Sequence, residues 1–143
     1  MTAMSQTQQA QAKFFGAYEH SLDVKGRLTL PAKFRSYLGE KCFVTRSQYE
    51  DPCLAVWTQE DFYAYANSYQ SQDLSDPSLR LNMRLWASEA FDIDIDKAGR
   101  LALPQPLRTF ADLSKEVLVH GALGIIELWS PDTWRSAQAR VRA

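Results

Sequence analysis

Two residues of opposite charge, Asp23 and Arg27, stand four apart around Val24-Lys25-Gly26, and the same arrangement returns as Asp96 and Arg100 around Lys97-Ala98-Gly99. A carboxylate and a guanidinium on either side of a short turn fit two readings, an ordinary hairpin with a surface ion pair of little weight or a device that presents the guanidinium to a partner. Arginine offers a planar fork of donors suited to O6 and N7 of guanine, and lysine a flexible clamp for phosphate. Arg27 and Lys25 are therefore the leading candidates for contact with an anionic partner. Asp23 repels phosphate, so it is expected to organise the turn and hold Arg27 in one rotamer. Lys33 and Arg35, a few residues on, are second-line phosphate candidates, and Arg100, Lys97 and Asp96 are the candidates of the second copy.

Other chemistry finds little support. The chain has no serine or cysteine motif around His20 or His120, no phosphate-binding glycine loop and no metal-ligand spacing, so neither an enzyme nor a cofactor, metal or small-molecule substrate is expected. Cys42 and Cys53 read as small core hydrophobes in a reducing compartment. Asp92, Asp94 and Asp96 alternate with Ile93 and Ile95, which reads as a strand with its acids outward. Trp57, Trp86, Trp129 and Trp134 sit at strand ends and on helix faces and are expected to pack.

The elements that must position the two turns follow from a longer repeat. Leu22-Asp-Val-Lys-Gly-Arg-Leu-Thr-Leu-Pro31 returns 73 positions later as Ile95-Asp-Lys-Ala-Gly-Arg-Leu-Ala-Leu-Pro104. Phe14 to Leu22 reads as a strand, Asp23 to Gly26 as a tight turn and Arg27 to Leu30 as the returning strand. Alternation puts Leu28 and Leu30 in the core and leaves Arg27 exposed. Pro31 and Pro104 fit the first position of a short helix. Strands are expected at Cys42–Arg46, Leu54–Trp57, Val117–His120 and Ile125–Trp129. Helix starts are expected at Thr58, as a capping box, and at Ser130-Pro-Asp. A third helical stretch runs from Pro77 to Phe91.

A hairpin-helix-hairpin unit of this size buries a core poorly alone, so the two copies are expected to intertwine and complete each other's strand edges. The expected organisation is a flexible tail over 1–12, a first repeat with its helix over 13–70, a connecting helix over 71–91 and a second repeat over 92–143. The fold class is α+β.

Net charge is −1, which excludes a uniformly basic nucleic-acid coat, and no apolar run is long enough to span a bilayer. Locally the sign changes. Lys13 to Arg46 holds seven basic residues against three acids, whereas Glu89 to His120 holds four against six. The first copy is expected to dominate at an anionic partner.

The residues that carry these readings also resemble a known family. Phe14-Phe-Gly-Ala-Tyr, the doubled Asp-x-x-x-Arg phrases, Leu118-Val-His-Gly and Glu127-Leu-Trp129 look like the MraZ family of bacterial regulators. The resemblance covers nearly the whole chain after residue 12. It implies two AbrB-like swapped-hairpin repeats forming an intrachain pseudo-dimeric β-barrel with short flanking helices. It also implies a cytoplasmic, nucleoid-associated transcriptional regulator of the division and cell wall gene cluster, its own promoter included. The implied partners are double-stranded promoter DNA, bound at repeated boxes, and further copies of the chain in a ring, octameric or larger. It places DNA binding on the first-copy motif, here Asp23 and Arg27 with Lys25. Related AbrB-like folds serve as antitoxins, which gives an alternative reading as an interaction module. Little sequence follows Trp134 to act as an inhibitory tail.

Overall fold

Among the described residues, eight strands and five helices follow one another in an order that repeats. A computed structural model describes residues 11–142, with the side chain of Arg142 left aside; residues 1–10 of the expected flexible tail lie outside the described residues. The first half contains β1 (Ala17–Ser21), β2 (Arg27–Thr29), α1 (Ala32–Leu38), β3 (Lys41–Arg46), β4 (Leu54–Trp57) and α2 (Gln59–Gln70). The linking helix α3 (Pro77–Ser88) precedes β5 (Phe91–Asp94), β6 (Arg100–Ala102), α4 (Gln105–Phe110), β7 (Glu116–Gly121), β8 (Ile126–Trp129) and α5 (Pro131–Arg142).

Six strands form an antiparallel sheet in the order β1-β7-β8-β4-β3-β5, and β2 and β6 form a separate two-stranded ribbon. Exchanging the copies, β1 for β5, β2 for β6, β3 for β7 and β4 for β8, leaves this order unchanged. The sheet is therefore pseudo-two-fold, and each copy supplies an edge strand to the other: Ala17–Ser21 pairs with β7, and Phe91–Asp94 pairs with β3. The intertwining satisfies backbone groups that a lone copy would leave open. The barrel does not close as one circuit of paired strands. β1 and β5 do not pair with each other, and the ribbon lies against both. β2 and β6 are only three residues long because each is followed, one residue on, by a proline that lacks an N–H to continue a ladder.

The ribbon supplies the centre of the core. Leu28 pairs with Leu101, and both are essentially inaccessible, as are Leu30, Phe34, Leu107 and Val117. At 2–5 kcal/mol, roughly, for truncating one buried leucine, this layer carries a large share of a marginal stability. A second cluster joins α2 and α3 to the outer face of the sheet, where Phe43 stacks on Phe62 at 3.8 Å and Trp86 meets Phe62 at 5.2 Å. The tryptophans pack as expected: Trp57 donates its indole N–H to Thr45 at 3.0 Å, and Trp134 lies edge-on to His120 and Trp129.

Several local expectations are corrected. The first strand begins at Ala17, because Gly16 has φ +90; Phe14 makes only an isolated bridge to Leu123, and Leu22 one to Leu28. Pro31 and Pro104 are the capping residues before their helices, with extended ψ values of 135 and 143, so they stand one position ahead of the expected helical site. Thr58 accepts from the Asp61 N–H at 3.0 Å, but the Asp61 carboxylate turns to Lys13 at 2.8 Å, so the capping box is half made. The third helix stops at Ser88 and Phe91 opens β5. Both cysteines are buried free thiols, and burial pushes Cys42 up to about 12, which keeps it in the unreactive form.

Candidate nucleic-acid interface

Both Asp-x-x-x-Arg phrases form the same turn at the two ends of the ribbon. In the first, the Gly26 N–H donates to the Asp23 carbonyl at 3.0 Å, and the Asp23 N–H donates to the Arg27 carbonyl at 3.0 Å. The Asp23 side chain closes the turn from inside. Its Oδ1 accepts the backbone N–H groups of Lys25 and Arg27, each at 2.9 Å, and its Oδ2 accepts Arg27 Nε at 2.7 Å. The second turn repeats each bond: Ala98 and Arg100 N–H to Asp96 Oδ1 at 2.9 Å, and Arg100 Nε to Oδ2 at 2.9 Å.

The arrangement commits one edge of the guanidinium to the protein and leaves the other edge available. Nε of Arg27 is taken by Asp23, and its two terminal nitrogens make no hydrogen bond among the described residues. Arg27 is half-buried, with 31% of its side chain exposed, because it lies along the carboxylate that holds it. The Arg27 backbone N–H, then its side chain, hold the Asp23 carboxyl below its ordinary range, and Arg100 does the same for Asp96. Lys25 and the fully exposed Val24 form the tip.

The ribbon register sets the two arginines on one face. Arg27 stands opposite Ala102 and Arg100 opposite Thr29, so the arginines are diagonal neighbours, roughly 7–8 Å apart at their backbones. Residues Thr29 and Ala102 between them are exposed, and the intervening Leu28 and Leu101 point into the core.

Spatial grouping differs from the grouping along the chain. Each turn packs under a side chain of the other copy. Gly26 is buried with φ +74, and a Cβ there would stand 2.9 Å from the Arg108 guanidinium carbon; Gly99, at φ +80, is covered by Arg35 so closely that a Cβ would overlap its guanidinium. Backbone bonds cross in the same sense, from Leu30 N–H to the Gly99 carbonyl at 3.1 Å and from Leu103 N–H to the Gly26 carbonyl at 3.0 Å. Arg35 thus belongs to the second turn, and Arg108 to the first. Lys33 is exposed on α1, and Lys97 is exposed beside Asp96. The acids of the second copy are met from the first: Lys41 reaches Asp92 at 3.3 Å and Asp94 at 3.7 Å across the β3–β5 pair.

The doubled turn has a counterpart among known proteins. The family model described as "MraZ protein, putative antitoxin-like" matches twice in tandem, at residues 14–85 and 86–143. The chain belongs to the MraZ family. Among its relatives, a protein of Ligilactobacillus salivarius named transcriptional regulator MraZ is 41% identical over 123 residues, 86% of this chain and 85% of that one. A protein of Acetivibrio thermocellus with the same name is 36% identical over the same shares. The two tandem matches agree with the pseudo-two-fold strand order, and they place both turns inside the family's repeat.

Within this MraZ-family chain, two residues near the turns escape a reading of the first phrase alone. Val24 is hidden by its type, since an aliphatic side chain gives no electrostatic signal. Arg108 is marked only by its recurrence, as the counterpart of Arg35 in the second copy.

Proposed function

We propose that this chain is a sequence-specific DNA-binding regulator of transcription. The observation that carries the reading is the carboxylate-held Arg27, whose terminal nitrogens remain unengaged by the described residues on the outer face of a two-stranded ribbon. A major groove about 12 Å wide admits such a ribbon. Arg27 then meets O6 and N7 of a guanine, a bidentate contact of about 1–3 kcal/mol discrimination, and Val24 suits a thymine methyl group. Lys25, with Lys33, Lys97 and Arg100 in support, binds phosphate. Asp23 and Asp96 act on the turns and stay off the DNA.

The names of the relatives support regulation of transcription as the purpose of this binding. In the full reading the chain assembles into a ring of eight or more copies, recognises repeated boxes before the division and cell wall gene cluster, and controls its own promoter. It works at the nucleoid in the cytoplasm, without cofactor or catalytic step. One arginine cannot locate a promoter, but copies at fixed spacing on repeated boxes gain avidity without new contacts. The interaction-module alternative is less favoured because the segment after β8 is a helix whose Trp134 packs on His120 and Trp129 as part of the fold.

Fluorescence anisotropy with the duplex upstream of the gene tests the proposal. Wild type should bind it well above a scrambled duplex of equal length, and Arg27→Ala should abolish most of that preference. Equal binding of both duplexes by wild type would overturn it.

A further inference from the structure

We infer that each DNA-facing turn is a composite of both repeats: Arg108 completes the phosphate-binding surface of the Asp23–Arg27 turn, and Arg35 that of the Asp96–Arg100 turn. The inference rests on the DNA-binding reading above and extends it, because it gives the chain two clusters of equal charge in place of one.

The charge count changes once the swap is taken into account. By sequence window, the first copy is basic and the second acidic. In space, each turn of one carboxylate and two cations gains a third cation from the other copy: Arg108 lies against Gly26 in the turn of Asp23, Lys25 and Arg27, and Arg35 against Gly99 in the turn of Asp96, Lys97 and Arg100. Among the described residues neither Arg35 nor Arg108 has an acidic partner, although both are half-buried. Arg108 Nε is anchored to the Leu103 carbonyl at 3.0 Å, and Arg35 Nε is buried with no hydrogen-bond partner among the described residues. A half-buried guanidinium without a counter-charge bears a desolvation cost that an arriving anion relieves. Its close packing on a buried glycine fixes its place beside the turn, so it is pre-positioned for a phosphate next to the base read by the turn.

A merely bracing role would give a different thermodynamic signature. Removing one phosphate-binding cation lowers the slope of log K against log salt by about 0.9 per engaged chain, whereas a loosened turn lowers affinity without removing a released counterion. The experiment titrates full-length protein onto its upstream duplex at a series of salt concentrations, for wild type, Arg27→Ala, Arg108→Gln, Arg108→Lys and Arg35→Gln, with thermal melts of each. The expected result is a slope reduced by about one per engaged chain for Arg108→Gln and Arg35→Gln, and retained for Arg108→Lys. Affinity at physiological salt should fall about five- to tenfold for the two glutamine variants. An unchanged slope in both glutamine variants would overturn the inference, as would a slope equally reduced in Arg108→Lys. If Arg27→Ala also binds like wild type, the DNA reading itself fails, which is a separate outcome.

Discussion

Replacing Asp23 with asparagine separates two opposite expectations. Simple electrostatics says that DNA should bind better, since one negative charge near the phosphates is gone. The turn geometry says that it should bind worse. A phosphate or base held on the terminal nitrogens of Arg27 lies on the far side of the guanidinium from Asp23, roughly 7–8 Å from the carboxylate at ordinary hydrogen-bond lengths. Across that distance in screened water the repulsion removed is worth less than about threefold in affinity. Against this, asparagine keeps the oxygen that accepts the Lys25 and Arg27 N–H groups, but presents an N–H₂ to Arg27 Nε where an acceptor stood at 2.7 Å. Arg27 is released from its rotamer. The freedom regained by a long side chain must then be given up on binding, a loss of about five- to thirtyfold in affinity. Anisotropy titrations should therefore show weaker binding by Asp23→Asn, with an unchanged salt slope because the number of phosphates engaged is the same. Tighter or equal binding would refute the view that Asp23 positions Arg27.

The fold makes its own predictions. Leu28→Ala should cost about 2–5 kcal/mol in urea unfolding, and the double variant with Leu101→Ala should depart from the sum of the singles, because the two side chains face each other across the ribbon. Gly99→Ala should destabilise by about 1–2 kcal/mol from its positive φ alone, with an added loss from displacing Arg35 that disappears in an Arg35→Ala background. His120 is 8% exposed against Trp134, and burial lowers its pKa below 6.5. The unfolded chain then binds the proton more readily than the folded one, so stability should be full above pH 6.5 and fall as pH drops below it; urea midpoints from about pH 8 to 5 should show the decline, and His120→Phe should flatten it.

How much of this was legible in the residues depends on the range of the interaction. The turn was, because its carboxylate, glycine and arginine are within five residues and their chemistry is local. Core alternation at Leu28 and Leu30 was, because a strand of period two sorts side chains regardless of its partner. The proline position was displaced by one, since the same fixed φ serves the capping residue and the first helical residue alike. What the sequence could not display was which copy completes which turn. Reading charge in windows joined Arg35 to Arg27 and left the second copy acidic. The exchange of β1 and β5 between copies takes Arg35 to Gly99, brings Arg108 to Gly26 and sets Lys41 beside Asp92 and Asp94. These are pairings between residues more than fifty positions apart, and nothing in either window alone encodes them.

The central claim is that Arg27 reads a base. A guanine-by-guanine substitution of the upstream box with 7-deazaguanine, which lacks the N7 acceptor, tests it directly when wild type and Arg27→Ala are titrated on each duplex. One guanine per box is predicted at which wild type loses roughly fivefold in affinity, the equivalent of about one hydrogen bond, while Arg27→Ala loses nothing further. Equal losses for both proteins at every guanine, or no guanine at which wild type is sensitive, would contradict it.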